Sequence, residues 1–419
     1  GGAMETLRFL MVSTFYPPYH LGGDAVHVQY LAEALARAGH EVHVEHAPAA
    51  AAIKGVGSRP AVPDGDVHIH PIPSPLGAMQ PLSAYLRGKS RSVNRFHNRL
   101  VEDVRPDVIH HHNISLLGRG VVSKGRADRT LYTAHDYWLR CPRSDLYKYG
   151  RHPCDAPTCG RCALVSRRLP QPWRYSRGWK GLKGLDWVIA PSAFMRAAIE
   201  GEVACPVAVI PNFAPDPNPG VRIFPPDEYY LYVGVYEPHK GLPELVSAIE
   251  AFEGGARFVF VGRGSLERRL RKLAGRRDDV DVMGWLQSSR LGPFYRGARG
   301  LILPSQSYEN SPLSAIEALS WGTPLLVSKR GGLEELVQEG AGLAVEPTTA
   351  AVRAGLDRFE ADGMPDSSRE PARSTYEARH HPVRYLERYM TLIEEERDEA
   401  IEKMSEGTVA AGSPDSKAP

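Results

Sequence analysis

The sequence predicts an α/β protein built from two doubly wound domains, and three observations support this prediction. The chain has 419 residues, which is enough for two domains of ordinary size. Each half opens with an apolar strand that passes through a loop into a helix, over residues 7–38 in the first half and 229–252 in the second. Between the halves, residues 214–227 are dense in proline and predict a linker.

The composition is that of a folded, water-soluble protein, with 42% hydrophobic and 24% charged residues. A net charge of +2 gives no indication of nucleic-acid binding. No apolar run approaches the length of a membrane span, and no secretory leader is visible. We therefore expect a cytoplasmic protein, and the Gly-Gly-Ala before Met4 resembles the remnant of an expression tag.

The first domain is predicted to begin with a strand over residues 7–13, a loop containing Gly22 and Gly23, and a helix over residues 26–38. A glycine turn at the start of a helix presents free backbone N–H groups that can bind a phosphate. Many such turns only let two backbones pack closely, so this pattern alone is weak evidence for a phosphate site.

Two further strands are predicted over residues 106–113 and 129–135, and both end in polar side chains. Ligands bind at the carboxyl ends of strands in open α/β sheets, so these side chains are candidates for binding. Successive side chains of a strand point to opposite faces, so the three consecutive histidines at 110–112 cannot all converge on one metal. The candidates at the strand ends are His112, Asn113, His135 and Asp136.

Four of the five cysteines lie within a short segment that follows the second of these strands. The closing Cys-x-x-Cys pair with two more thiols nearby has metal-ligand spacing, and soft thiolates select zinc or an iron–sulfur cluster. The alternatives are reduced thiols or two disulfides, which a cytosolic setting disfavours. We expect a structural metal in an insertion over residues 141–162, with Cys141, Cys154, Cys159 and Cys162 as ligands.

Two segments are rich in basic residues. Residues 85–105 predict a helix with six Lys or Arg side chains, and residues 167–183 combine basic and aromatic side chains. The first is best interpreted as a solvated helix face. The functional alternative for both segments is a surface that binds an acceptor or an anionic membrane.

The most informative stretch covers residues 305–335. Ser311 is a good N-cap and Pro312 suits the first helical turn, so a helix is predicted from Pro312 to a stop at Gly322. Its N-terminus can bind a phosphate. Glu317 alone interrupts the apolar helix face, and a carboxylate in that position needs partners such as sugar or ribose hydroxyls.

The residues Glu309, Asn310, Ser311, Pro312, Leu313 and Glu317 resemble the signature of the retaining glycosyltransferases of family four, which has two glutamates separated by seven residues. The resemblance implies the GT-B fold, in which two Rossmann-like doubly wound domains face each other across a cleft and a C-terminal helix crosses back. It implies that Glu317 holds the ribose of a nucleotide and that Glu309 lies near the donor sugar. It also implies that the backbone of residues 310–313 contacts the sugar and the diphosphate.

The same resemblance assigns further donor-binding residues. It places the Gly22-Gly23 turn opposite the donor, with Asp24 as a weaker candidate, and gives His135 the role of binding the donor sugar. In the second domain the matching residues are Gly234, Lys240, Gly241, Arg263 and Gly264.

This chain departs from the family at Val235, where arginine is usual, and the departure weakens the expected clamp on the diphosphate. His239 and Arg263 are the nearby residues that can replace the missing charge.

The implied domain layout follows the family. Residues 4–213 would form the acceptor-binding domain, residues 228–381 the nucleotide-sugar domain, and residues 382–404 a helix that packs on the first domain. Residues 405–419 are rich in Gly, Ser and Ala and predict a disordered tail.

The expected activity is transfer of a sugar, with retention of configuration, from a nucleotide-diphosphate donor to a hydroxyl of a carbohydrate, lipid-linked or small-molecule acceptor. His135, Lys240 and Glu309 are the expected catalytic residues, and no divalent metal is expected at the active site. A glycosidase is discounted because its two carboxyls must flank one bond, whereas Glu317 is assigned to the ribose. The alternatives are a sugar-nucleotide-binding protein without transfer activity, whose Cys-rich loop would bind a partner, and an epimerase or phosphorylase on the same fold.

Overall fold

The computed structural model describes residues 6–19, 22–53, 66–122, 125–175, 181–217, 229–395 and 399. The chain divides into two compact units. The first contains residues 1–145, 156–210 and 386–419, and the second contains residues 146–155 and 211–385. The division at 210/211 lies close to the predicted boundary at 213/214, whereas the segment 146–155 was predicted to belong to the first domain. Most of the predicted linker and the whole predicted tail lie outside the described residues.

The first unit is built on a parallel sheet of seven strands. Parallel neighbours need a crossover connection, so the chain alternates between strands and covering segments. The strand order is β3-β2-β1-β4-β5-β8-β9, with β1 (Arg8–Val12), β2 (Glu41–His46), β3 (Val67–Pro71), β4 (Val108–His111), β5 (Arg129–Thr133), β8 (Trp187–Ala190) and β9 (Val207–Val209).

Six α-helices accompany the described strands of this unit. They are α1 (Gly23–Arg37), α2 (Pro48–Ile53), α3 (Met79–Arg87), α4 (Arg91–Val104), α5 (Cys159–Val165) and α6 (Ala193–Ile199). Helix α1 starts three residues earlier than predicted, so the Gly22-Gly23 turn is its first turn.

The single helix predicted over residues 85–105 is wrong, because the structure has the two helices α3 and α4 there. Gly88 breaks them apart with a φ of +70°, a left-handed conformation that favours glycine. A Cβ atom at Gly88 would lie 2.6 Å from the ring of Trp173, so the position also lacks room for a side chain. Ser90 then caps α4, because its hydroxyl accepts a hydrogen bond from the Val93 N–H.

The second unit is built on a parallel sheet of six strands. The order is β12-β11-β10-β13-β14-β15, with β10 (Tyr229–Val235), β11 (Arg257–Arg263), β12 (Val280–Gly284), β13 (Gly300–Leu303), β14 (Leu325–Ser328) and β15 (Gly342–Val345). A small antiparallel hairpin, β6 (Tyr147–Lys148) and β7 (His152–Pro153), belongs to the same unit.

The described helices of the second unit include α7 (Leu242–Glu250), α8 (Glu267–Ala274), α9 (Gly292–Gly297), α10 (Leu313–Ser320), α11 (Thr349–Ala361), α12 (Met364–Ser367) and α13 (Arg369–Thr375). Aromatic side chains fill the core under α7 and α11. The rings of Tyr230, Phe258 and Phe359 pack there at centroid distances of 5.9 and 6.1 Å. Both halves are therefore doubly wound parallel sheets, as predicted.

The last described helix, α14 (Pro382–Glu394), begins in the second unit and ends in the first. Within the first unit, the Tyr389 hydroxyl lies 2.9 Å from Nδ1 of His110, and its ring packs on Phe9 at 6.2 Å. The described helix ends ten residues before the predicted end at 404. None of the described helices is both long and apolar enough to cross a bilayer.

Candidate functional site

In the second unit, the loop after β13 brings together two of the predicted catalytic residues. The Nζ atom of Lys240 donates to Oε1 of Glu309 at 2.5 Å, and the Ser305 hydroxyl donates to the same oxygen at 2.7 Å. Lys240 is held here because Gly241 directly follows it with a φ of +74° and a Cβ there would collide with the Pro304 carbonyl. Ser305 was not identified as a site residue from the sequence. Its position four residues before Glu309 was the only feature of the sequence that could have indicated their contact.

The environment of Glu309 favours its charged form. Burial raises the pKa of this carboxyl, but the positive charge of Lys240 and the hydrogen bonds from Lys240 and Ser305 outweigh burial, so the net pKa is lowered. Glu309 is therefore an anion at neutral pH, and it acts through charge and hydrogen bonding.

The glycine pair at Gly331 and Gly332 fixes the backbone of this loop. Gly332 donates its N–H to the Glu309 carbonyl at 2.7 Å, and Gly331 forms an isolated parallel bridge with Glu309. Gly331 has a φ of +67°, and a Cβ atom there would collide with the Glu309 carbonyl oxygen. Only glycine permits this close approach.

The N-terminus of α10 differs from the prediction by one residue. Ser311 is not the N-cap, because Pro312 occupies that position in an extended conformation (φ −67°, ψ 129°) and the helix begins at Leu313. The first turn therefore has no side-chain cap. The Ser311 hydroxyl is buried and makes no hydrogen bond to any part of the chain that the structure describes. This end of α10 is chemically suited to an anionic ligand.

Glu317 lies inside α10 and is oriented by a residue that the sequence did not indicate. The Tyr295 hydroxyl, on α9, donates to Oε2 of Glu317 at 2.8 Å. Tyr295 is buried, so its position is well defined. The arrangement fits a carboxylate that is held in place to accept hydrogen bonds from hydroxyl groups.

The ends of β10 and β11 place Val235 and Arg263 side by side. These two residues are register partners in the parallel sheet. Two glycines make this close approach feasible: a Cβ at Gly262 would collide with Gly234, and a Cβ at Gly264 would lie 2.6 Å from the Tyr236 carbonyl oxygen.

Arg263 is exposed, and its guanidinium lies 5.5 Å from the ring centre of Trp285. Across the described ranges, no carboxylate forms an ion pair with Arg263. His239 was the other candidate for replacing the charge missing at Val235. Its backbone carbonyl accepts hydrogen bonds from the N–H groups of Gln306 and Ser307 at 2.9 and 3.1 Å, so His239 helps to hold the loop that follows β13.

In the first unit, the predicted glycine turn lies at the carboxyl edge of the sheet together with Asn113. Gly22 is the N-cap of α1, and Asp24 follows in its first turn. The Asn113 side-chain amide donates to Oδ2 of Asp24 at 2.9 Å. Two of the predicted candidates are therefore brought into direct contact.

His135 lies in a cluster of histidines at the same edge. Its Nε2 is 3.0 Å from Nδ1 of His112, and its ring is 5.1 Å from that of His27. Burial lowers the pKa of His135 to about 4, although the charge of Asp24 raises it. His135 is therefore a neutral imidazole at physiological pH.

The predicted alternation of the three histidines at the end of β4 is confirmed. The rings of His110 and His112 lie 3.9 Å apart on one face of the sheet. The nitrogens of His111 instead lie 3.2 Å from the carbonyls of Leu131 and Val121. All three side chains are buried, so His111 is a packed core residue.

The half-buried acid Asp136 and the buried Arg174 both have surroundings that the sequence did not indicate. Burial raises the pKa of Asp136 to about 7, while the hydrogen bond from the Trp138 N–H lowers it. The Arg174 guanidinium lies 4.6 and 4.9 Å from the ring centres of Trp138 and Trp173. Arg174 was predicted to lie on an exposed basic surface, yet only 7% of it is accessible.

The structure does not support the predicted metal site. No disulfide bond joins any of the five cysteines, all of which lie within the described residues. Within the part of the chain that is described, no three His, Cys, Asp or Glu side chains are placed to hold a metal ion. Cys154 belongs to the second unit, whereas Cys141, Cys159 and Cys162 belong to the first. A zinc ion or iron–sulfur cluster stays a prediction, which metal analysis of the purified protein would test.

Comparison with known proteins identifies the family. The sequence profile of the family described as Glycosyl transferases group 1 matches residues 219–380, and the profile of Glycosyltransferase Family 4 matches residues 21–215. The glycogen synthase of Mycobacterium tuberculosis strain H37Rv is 28% identical over 393 residues, which cover 84% of this chain and 86% of that protein. The D-inositol 3-phosphate glycosyltransferase of Acidothermus cellulolyticus is 35% identical over 141 residues, covering 30% of this chain and 31% of that protein.

Solved structures show the same architecture. A sucrose-phosphate synthase from Thermosynechococcus elongatus is similar with a TM-score of 0.67 and 20% identity, covering 97% of this chain and 100% of that chain. HepE from Anabaena, in complex with UDP and glucose, is similar with a TM-score of 0.61 and 15% identity, covering 95% of this chain and 99% of that chain. The predicted GT-B fold is thereby confirmed. The chain is a glycosyltransferase that belongs to the group 1 glycosyl transferases, within glycosyltransferase family 4.

Proposed function

We propose that this protein transfers a hexosyl group, with retention of configuration, from a nucleotide-diphosphate sugar to an acceptor hydroxyl. The observation that carries the proposal is the arrangement in the second unit, where Lys240 pairs with Glu309 in the loop that leads into the uncapped N-terminus of α10. The HepE structure contains UDP and glucose, which supports a nucleotide-sugar donor here.

In the proposed mechanism, charge develops on the leaving diphosphate. Lys240, Arg263 and the backbone N–H groups of residues 310–313 stabilise this charge, as preorganised donors do in other transfer enzymes. These groups take the place of a divalent metal at the active site. The leaving phosphate accepts the proton of the acceptor hydroxyl, so the reaction needs no separate base.

The other site residues position the donor. Glu317 accepts hydrogen bonds from the ribose hydroxyls while Tyr295 holds its carboxylate. Neutral His135 bonds a sugar hydroxyl, and the Gly22-Gly23 turn approaches the donor. Glu309 keeps Lys240 in place and lies near the sugar.

The acceptor side is assigned to the first unit, with Asn113 and His112 as candidate contacts. The acceptor would be a carbohydrate, a lipid-linked sugar or a small molecule. The relatives named glycogen synthase and lipopolysaccharide 1,2-N-acetylglucosaminetransferase support an acceptor that carries sugar hydroxyls. A cytoplasmic location with peripheral membrane contact stays a proposal.

A second candidate is a sugar-nucleotide-binding protein that does not transfer. Val235 favours it, because the family has a cation at this position. A thermal-shift panel with UDP-, GDP-, ADP- and dTDP-sugars, followed by an assay of donor hydrolysis, separates the two. Binding that Glu317→Ala abolishes, together with hydrolysis, supports the transferase. Binding without hydrolysis or transfer supports the binder, and no binding to well-folded protein contradicts both.

A further inference from the structure

Basic residues are concentrated in two segments of the first unit. Residues 67–101 contain five Lys or Arg and no Asp or Glu, and residues 156–185 contain seven Lys or Arg and no Asp or Glu. The whole chain has a net charge of only +2, so these segments are strongly positive compared with the rest. Such segregation of charge indicates an anionic partner.

Helix α4 presents part of this charge as a single stripe. Arg91, Arg95 and Arg99 are exposed at spacings of four residues, which puts them on one face of the helix. The opposite face is buried through Val93 and Leu100, among others. In the described part of the chain, none of the three arginines forms an ion pair. The next position of the stripe, four residues after Arg99, is the acidic residue Asp103 near the C-terminal end of the helix, so the positive charge is concentrated at Arg91 and Arg95.

Large apolar side chains are also exposed in these two segments. Met79 at the start of α3 is 63% exposed, and Leu164 on α5 is 79% exposed. Leu169, which follows α5, is 51% exposed and lies next to the exposed Arg168. A single exposed apolar side chain is ordinary, but several gathered on one surface mark an interaction site.

Hydrogen bonds join these elements into one surface. The Tyr85 hydroxyl, on α3, donates to the Leu169 carbonyl at 3.2 Å, and the Trp173 indole donates to the Tyr85 carbonyl at 2.9 Å. The ring of Trp173 also packs against Gly88, between α3 and α4. We call the result the basic–apolar surface, defined by Met79, Arg91, Arg95, Leu164, Arg168 and Leu169.

We propose that the basic–apolar surface docks on the face of a bilayer that contains anionic phospholipids. The arginines would lie among the headgroup phosphates, and the aliphatic side chains would enter the boundary between headgroups and acyl chains. A single-stranded nucleic acid would instead call for a row of exposed aromatic platforms, whereas Tyr175 is the only exposed Phe, Tyr or Trp side chain in the described parts of the two basic segments. The inference rests on the peripheral membrane contact of the proposed function and names the surface that makes it, although docking itself needs neither donor nor transfer. It would bring the acceptor side of the enzyme to a membrane.

Sedimentation with lipid vesicles tests the proposal. The full-length protein is mixed with vesicles of phosphatidylcholine alone, or with about 30% phosphatidylglycerol, at about 0.1 M and about 0.5 M NaCl. We expect binding only to the anionic vesicles, and weaker binding at the higher salt concentration. The double variants R91E/R95E and L164S/L169S should each bind on the order of tenfold more weakly.

The matched control is R268E/R269E, which makes the same charge change at two exposed arginines on α8 of the second unit. It should bind as the wild type does. Melting temperatures check that every variant is folded. Donor binding is measured on the same samples, so that a failure of the proposed function can be told apart from a failure of membrane docking. Absence of wild-type binding to anionic vesicles would overturn the proposal and favour a protein partner. The proposal would also be overturned if the wild type bound neutral and anionic vesicles equally well, or if R268E/R269E lost as much binding as R91E/R95E.

Discussion

The ammonium of Lys240 lies 2.5 Å from a carboxylate oxygen of Glu309, and the two residues are separated by 69 positions in the chain. Fourteen per cent of the Glu309 side chain is exposed, so the ion pair is largely shielded from water. The lysine is therefore held in a defined position before any donor arrives. A preorganised cation does not need to be reoriented when charge develops on a leaving group.

Replacing Lys240 by methionine should reduce transfer, or donor hydrolysis, on the order of a hundredfold or more, because the variant loses a cation that stabilises the leaving diphosphate. It should also raise the pKa of Glu309, since its partner charge is lost. Steady-state kinetics measure the first effect. The control is Lys272→Met, an exposed lysine on α8. Wild-type rates in Lys240→Met would contradict the assigned role.

Replacing Glu317 by glutamine should weaken donor binding on the order of tenfold to a hundredfold, because a charged acceptor for ribose hydroxyls is lost. Tyr295→Phe should have a smaller effect, since the carboxylate remains but loses one orienting hydrogen bond. Calorimetry with a ribonucleotide and its 2′-deoxy analogue locates the contact. The loss of affinity caused by Glu317→Gln should be smaller for the 2′-deoxy analogue than for the ribonucleotide. An equal loss for both ligands would argue against a contact between Glu317 and the 2′-hydroxyl.

Arg263 should supply the charge that is absent at Val235. We expect Arg263→Ala to weaken the binding of a nucleoside diphosphate about tenfold or more, because a charge-assisted hydrogen bond is lost. The double variant V235R/R263A should recover much of this loss, since the two positions are register partners on neighbouring strands. V235M/R263A is the uncharged control. If V235R/R263A and V235M/R263A bind the nucleoside diphosphate equally well, the loss of affinity in Arg263→Ala is not caused by the missing positive charge.

Acid should destabilise the first unit through its buried histidines. Burial lowers the pKa of His111 to about 4, whereas an unfolded histidine titrates near 6.5. Between these values the unfolded chain binds a proton that the folded chain rejects, so stability rises with pH in this window. His111 alone should remove about 3 kcal/mol as the pH falls through the window.

Urea unfolding at a series of pH values between 4 and 7 measures this effect. His27, His110 and His112 are also buried, and their pKa values are lowered mainly by burial, so they add to the slope. The variant His111→Gln should be less stable at neutral pH, but its stability should depend less on pH. An unchanged slope would show that His111 does not titrate as proposed.

Much of the donor half was predictable from sequence because its residues are close together in the chain. Glu309, Ser311 and Glu317 belong to one loop and one helix, and helix-start signals placed α10 to within one residue. Ser311 failed as a cap because proline suits the extended N-cap conformation that it adopts here. Lys240 could be named as a candidate, but its contact with Glu309 joins distant segments and has no local signal.

The predictions that failed depended on packing between segments. The interruption at Gly88 follows from the ring of Trp173, which lies 85 positions later in the sequence. Arg174 packs against the rings of Trp138 and Trp173, although its own segment resembles an exposed basic loop.

The sequence by itself determined the alternation of strands and helices, the two parallel sheets and the glutamate motif, because these depend on short-range periodicity and spacing. The tertiary structure decided which charges are paired and which are not. Lys240 is matched by Glu309, whereas Arg263 remains available beside Trp285. Pairing is a matter of distances of a few ångströms between segments far apart in the chain, and only the folded backbone sets those distances.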